Sequence, residues 1–509
     1  MPNFTDLQEF FSQNNIHLII AADAEPVTSK KLKNKITEQI PAGGVAVALN
    51  PTAKAGNGVY IARGKTEADK EAADQNGEVI LNPNTVSSYL LKRLFFTEEE
   101  TDAYYLGFSN QTLWPLSHVC YQRPEFRRDW FETYKKVNQR FADAIQEKLQ
   151  DNTVVWVNDY QLSLVPSLIK KKKNTAIGFF WHIPWPTWEI FRILPQKQEI
   201  LEGMLAADFI GFHRGYHVRN FIETISRELE ARIDRETNTI YYKNHKTTVK
   251  NLPMGIDTDV IEATVAPEAP DTIITAIARA LLGIEKETTE EGERDIDKFF
   301  KQNKVVLGVD RLDYTKGLRT RLKSLDIFFD HYPQHIGNVS YMGILAPSRE
   351  KIPAYQQLKK EVFQLAKDIN DKYKTPTWQP IHLVSGVYSR DEILNMYRKA
   401  AICLVTPLDD GMNLVSKEFI TAAALSDNPG VLVLSRFAGS AIDLTEALIV
   451  NPYDTKEVAE AIQKGLTMTK EERIERTQKM SKVLKERNVY GWAVRFLRNT
   501  MDAAGIISL

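Results

Sequence analysis

Arg311, Lys316, Asp410 and Glu418 have the types and spacing to handle a leaving group that carries negative charge. In the run VVLGVDRLDYTKGLRTRL, Val305 to Leu322, Arg311 and Lys316 fall in a loop between a strand and a helix, and Gly317 permits tight backbone geometry ahead of that helix. Two cations and the open amides of a helix N-terminus can neutralise a diphosphate, the role a divalent metal plays elsewhere. In the run LVTPLDDGMNLVSKEF, Leu404 to Phe419, Asp410 precedes Gly411, and Glu418 falls in the first turns of a helix. Carboxylates accept hydrogen bonds from sugar and ribose hydroxyls, while Gly411 through Val415 offer backbone amides to an anion. Spacing alone leaves a second reading of each run open: a surface ion-pair cluster for the first, and a helix-surface carboxylate for Glu418.

The elements that must position these groups have an α/β rhythm, with short apolar runs alternating with longer helical patterns. Strand patterns at Thr153 to Val157, Ala176 to Trp181, Val305 to Val309 and Ile402 to Val405 each run into polar residues. Those residues are Asn158-Asp159-Tyr160, His182, Asp310-Arg311 and Asp409-Asp410 respectively. Ligands bind beyond the carboxyl ends of open parallel sheets, so function is expected to collect there. The clearest helical stripe carries Phe126, Trp130, Tyr134, Val137, Phe141, Ile145 and Leu149 and reads as packing. A length of 509 residues exceeds one core and predicts two domains, with a junction near Pro253-Met254-Gly255-Ile256-Asp257. The predicted domains are 1–255 and 256–488, with 489–509 a final helix packing back on the first.

Apolar residues at 43%, charged residues at 26% and a net charge of -1 give no global field for nucleic acid or a membrane surface, so neither is expected as a partner. Cys120 and Cys403 are far apart and lack metal-ligand spacing, which argues against a disulfide framework or structural zinc. The start MPNFTDLQEFFSQNN has no basic or long apolar leader, and a cytoplasmic location is expected. The charged stretch Glu285 to Asp295 and the lysines Lys170 to Lys173 read as solvated faces.

A colinear series of motifs carries a specific resemblance. It comprises AGGVAVAL at Ala42, YYLGFSNQTLWP at Tyr104, WVNDYQL at Trp156, GFFWHIPWPTWEIF at Gly178 and IGFH at Ile210. It continues with DRLDYTKG at Asp310, APSRE at Ala346, PLDDGMNLVSKE at Pro407, NPGVLVLSRFAGSA at Asn428 and ALIVNPYD at Ala447. In these residues the chain resembles the trehalose-6-phosphate synthase family of retaining glycosyltransferases. The resemblance implies two Rossmann-like domains facing across a cleft (GT-B type). It implies no metal and no cofactor: Arg311 and Lys316 hold the diphosphate of a nucleotide-sugar donor, Glu418 binds its ribose, and Leu414 and Val415 offer amides. His182, Asp410, Gly411, Met412 and Asn413 surround the transferred glucose, and Gly44 lets the N-terminal loop approach the donor. Tyr105, Trp114, Asp159 and Arg349 line the acceptor pocket. By type alone, His182, Tyr105 and Trp114 could equally be core residues, Asp159 a helix N-cap and Arg349 a surface ion pair.

The chain departs from the family pattern mostly on the acceptor side. The first strand ends LIIAADAEPV, with Asp23 or Ala24 where the family has an arginine for the acceptor's phosphate. One such contact is worth about 1.5–3 kcal/mol. The stretch NGVYIARGKT at Asn57 stands where the family has a glycine- and tryptophan-rich loop, and Arg63 or Lys65 is the candidate substitute cation. Asn158 stands where histidine is common, and Asp409 where arginine is common. The expected reaction is transfer of glucose from UDP-glucose to glucose 6-phosphate. Glycerol 3-phosphate as acceptor, and a non-catalytic subunit that senses sugar phosphates, are the alternatives. The base of the nucleotide and assembly with copies of itself are left open.

Overall fold

The computed structural model describes residues 2–32, 35–39, 44–83, 85–265, 295–386 and 388–506. The expected solvated stretch Glu285 to Asp295 lies outside these residues except for its last, and so do Ala42 and Gly43. The chain divides into two compact units, Met1–Gly255 with Arg487–Leu509, and Ile256–Glu486.

The first unit is built on a ten-stranded sheet. Its parallel core places His17–Ala21 between Val59–Arg63 and Thr153–Asn158, followed by Ala176–Trp181 and Phe209–Phe212. These strands are buried on both faces, which is why they read as continuous apolar runs rather than as alternating patterns. The apolar stripe predicted as a helix forms Arg128–Lys148 and buries Trp130, Tyr134, Val137, Phe141 and Ile145. Phe126 is a correction: it precedes the helix and is exposed. The last helix, Val489–Ala503, lies in this unit and stacks Phe496 on Trp156 with ring centroids 3.9 Å apart. A Cβ on Gly178 would come within 2.6 Å of the Phe496 ring, so this strand position admits only glycine against that helix. Of the four lysines, Lys171 pairs with Asp208 at 2.6 Å and Lys172 donates to the Leu149 carbonyl.

The second unit carries a six-stranded, all-parallel sheet. Lys304–Arg311 lies between Val339–Ala346 and Ile402–Val405, with Val431–Ser435 beyond the latter. Among the described residues no helix is long and apolar enough to cross a membrane.

Candidate functional site

In the second unit, Arg311 is the last residue of its strand and lies in register with Ala346, so the two strands end side by side. The chain then makes a 3-10 turn at Tyr314–Lys316, capped by Asp313, and enters the helix Leu318–His331 through Gly317 at φ 67°. A Cβ on Gly317 would collide with the Thr406 carbonyl. Arg321 fastens the loop from below, donating to Asp310 at 2.5 Å, Thr406 Oγ1 at 2.9 Å and the Lys316 carbonyl at 3.2 Å. The backbone carrying Lys316 is thereby tied to the end of the Ile402–Val405 strand.

Asp313 organises the cations. Its Oδ2 lies 3.1 Å from Arg349 Nη1, 3.2 Å from the Tyr355 hydroxyl and 3.7 Å from Arg311 Nη2. Burial alone would raise its pKa, but Arg349, Arg311 and Lys316 overcome that and hold it at about 2. Asp313 is therefore a fixed anion that orients two arginines. Arg349 also donates to Tyr355, its side chain is 3% exposed, and its backbone is left-handed at φ 50°. A surface ion pair does not describe it.

Lys316 Nζ donates to Asp410 Oδ2 at 2.5 Å, and Asn413 Nδ2 donates to the same oxygen at 3.1 Å. Asn413, at φ 66°, caps the helix Leu414–Ala423 by accepting from the Ser416 amide. Leu414 and Val415 are thus the first helical residues, whose amides the i−4 ladder cannot reach. Gly411 and Met412 are buried beneath this turn, and the Gly411 carbonyl leaves no room for a Cβ on Gly439. Glu418 lies on the same helix with Arg390 Nη2 3.9 Å away. Burial raises its pKa, against the pull of Arg390.

In the first unit, Asp159 follows the Thr153–Asn158 strand at φ 73°, a conformation that costs a non-glycine residue roughly 1–3 kcal/mol. Its Oδ1 accepts from the amides of Tyr160 and His182, each at 3.0 Å. His182 follows the Ala176–Trp181 strand, with Nε2 3.2 Å from Asn158 Oδ1. Burial pushes the imidazole pKa down to about 3, so the ring is neutral at ordinary pH. Tyr105 and Trp114 sit on a π-helical segment, Asp102–Leu113, which the Trp114 amide extends by bonding to Ser109 O. At roughly 4.4 residues per turn, nine residues make two turns and place Tyr105 and Trp114 on one face; an α-helix would set them opposite. Trp114 meets Tyr160, whose ring lies 5.8 Å away and whose hydroxyl donates to Asn110. Gly44 opens the helix Gly44–Ala55 and is exposed.

The sequence departures at Asp23 and Arg63 prove to be one feature. Arg63 ends the strand Val59–Arg63, not a loop, and grips Asp23 bidentately at 2.8 and 2.9 Å. Both side chains are buried, Tyr104 donates to Asp23 at 3.2 Å, and the guanidinium lies 4.4 Å above the Tyr105 ring. Arg63 is thus committed to Asp23. Sequence reasoning passed over Asp313 and Arg321; the one available signal was a carboxylate between Arg311 and Lys316.

Two Rossmann-like α/β units, with cations and capped helix N-termini at the carboxyl ends of parallel strands, define a glycosyltransferase of the GT-B class. The chain belongs to glycosyltransferase family 20, whose model matches residues 15–502. A UDP-forming alpha,alpha-trehalose-phosphate synthase of Candida albicans is 34% identical over 90% of this chain and 91% of its own. A trehalose-6-phosphate protein of E. coli, solved bound with UDP-2-fluoro glucose, matches with TM-score 0.79 and 31% identity over 95% of this chain and 99% of that one. An alpha,alpha-trehalose-phosphate synthase of Burkholderia xenovorans, solved with glucose-6-phosphate, matches with TM-score 0.79 and 29% identity over 95% and 99%.

Proposed function

We propose that this chain transfers glucose from UDP-glucose to glucose 6-phosphate with retention at the anomeric carbon, giving trehalose 6-phosphate and UDP. The observation that carries the reading is the braced Arg311 to Lys316 loop beside Asp410 and the open amides of Leu414 and Val415, in a chain of family 20. The relatives' substrates support it: the similar structures hold UDP-2-fluoro glucose and glucose-6-phosphate, and the Candida relative is named UDP-forming. Arg311, Lys316 and the helix amides take up the charge that develops on the diphosphate as the bond from C1 breaks. An arriving diphosphate competes with Asp410 for Lys316 and releases the carboxylate to accept from glucose hydroxyls, with Gly411, Met412 and Asn413 forming the turn around it. Glu418 accepts from the ribose. The acceptor hydroxyl attacks C1 from the face the diphosphate leaves, and its proton passes to a phosphate oxygen of UDP. The cations of this loop perform the task without a metal.

Arg349, oriented by Asp313, is assigned to the acceptor's phosphate, and Tyr105, Trp114 and Asp159 to its ring. Glycerol 3-phosphate is the alternative acceptor: Asp23 and Arg63 neutralise each other at the first strand's end, so the phosphate of either acceptor has one cation fewer there. UDP release measured with UDP-glucose against both acceptors decides between them. Release no higher than the acceptor-free background refutes the activity, and a trapped glucosyl-enzyme refutes the same-face mechanism.

A further inference from the structure

We propose that Asn158 is a positioning residue that fixes the tautomer of His182, so that the imidazole meets its ligand through Nδ1, as a hydrogen-bond acceptor only. The proposal rests on the reading of His182 as a contact to the transferred hexosyl group. Asn158 is fully buried at the end of its strand, and its amide nitrogen donates to the carbonyls of Ala21 and Trp156, each at 3.2 Å. Both N–H groups are thereby used. What faces His182 Nε2 at 3.2 Å is the side-chain oxygen, which can only accept, so Nε2 must carry the proton.

The neutral ring then has its lone pair on Nδ1. That atom is buried, finds no hydrogen-bond partner among the described residues, and belongs to a residue 6% exposed. A buried acceptor of this kind gains from a ligand that supplies a donor. Of the titratable neighbours, Asp159 turns Oδ1 to backbone amides, and the His213 ring lies tilted by 58° with its centroid 5.3 Å away. The rings of Phe180 and Trp492 lie 4.5 and 6.3 Å from the imidazole, centroid to centroid. Adjacent residues thus clamp His182 twice, Asn158 at the ring and Asp159 at the backbone amide.

The chemistry that follows is selective. A sugar hydroxyl can donate to Nδ1, whereas an ether oxygen or a fluorine at the same place can only oppose it with lone pairs. A donor lacking that hydroxyl therefore loses roughly tenfold or more in kcat/KM.

The test is nitrogen NMR of the full chain labelled with 15N-histidine, with His182 assigned from the His182→Gln spectrum. Nε2 protonated and Nδ1 bare from pH 5 to 9 is the expected result; a proton on Nδ1 overturns the proposal. Asn158→Leu should mix the tautomers and raise the KM for UDP-glucose while leaving that for the acceptor nearly unchanged; an unmixed tautomer overturns it. Asn158→Asp keeps an acceptor against Nε2 but adds a negative charge, and should bring a new ionisation into the pH profile of kcat/KM; should Asn158→Leu fail to fold, an unaltered Asn158→Asp profile overturns it. Failure of the functional reading has a separate signature: the expected tautomer, with no shift of the His182 signals when UDP-glucose is added.

Discussion

Replacing Asp23 by arginine restores, on paper, the cation that the sequence lacks at the end of the first strand, and so ought to improve use of glucose 6-phosphate. The structure predicts the reverse. Asp23 is buried and holds Arg63 through two bonds of 2.8 and 2.9 Å, with Tyr104 as a third partner. Removing one member of such a pair strands a buried charge and costs about 3–5 kcal/mol. At about 2–4 °C per kcal/mol, the melting transition of Asp23→Ala should fall by roughly 6–20 °C. Asp23→Arg, with two guanidiniums facing each other, should be no better, and the double variant Asp23→Arg, Arg63→Asp should recover much of the loss. Burial raises the Asp23 pKa, but Arg63 outweighs it and the net shift is downward. The pair's contribution is therefore complete above the unfolded carboxylate value of about 4 and is lost as pH falls through the lower folded value. Calorimetry at pH 7 and pH 3, with the acceptor KM measured alongside, checks both parts. An Asp23→Arg protein as stable as the parent, with a lower KM for glucose 6-phosphate, would refute the reasoning.

Lys316→Ala should lower kcat by about 100- to 1,000-fold, the cost of removing one group that stabilises the leaving charge, as UDP release will report. Arg349→Ala removes a charge-assisted bond worth about 1.5–3 kcal/mol and should raise the acceptor KM roughly 10- to 150-fold; a comparable loss in kcat would mean that Asp313 also transmits the change to Arg311. Glu25 is buried, bonded by Arg93 at 2.9 Å, and raised to about 7 by burial and by Asp69. A raised acid destabilises the fold as pH climbs from about 4.5 to 7, so Glu25→Gln should raise the melting temperature at pH 8 and change it little at pH 5. Initial rates with UDP-glucose and glucose 6-phosphate should be unchanged after exhaustive treatment with EDTA; a loss restored by a divalent cation would overturn the assignment of the leaving charge to Arg311 and Lys316.

Much of the proposed donor side was legible because its spacing is local. A strand, a short loop and a helix start fix the relative places of Arg311, Lys316 and Gly317, and the same holds from Asp410 to Glu418. Backbone geometry sets such distances within a dozen residues, and the residue types name the chemistry. The α/β architecture was legible for the same reason, since buried parallel strands leave unbroken apolar runs.

What the tertiary structure decided depends on which strands become neighbours. Asp23 meets Arg63 only because His17–Ala21 pairs with Val59–Arg63, and Asn158 reaches Ala21 only because Thr153–Asn158 flanks the other side. Arg349 meets Asp313 because their strands end in register. The π-helical winding under Tyr105 and Trp114 has no signature in residue type, because their common face depends on the number of residues per turn. Sequence supplied the charges of this site, and strand order and helical pitch determined which of them are already spent on one another.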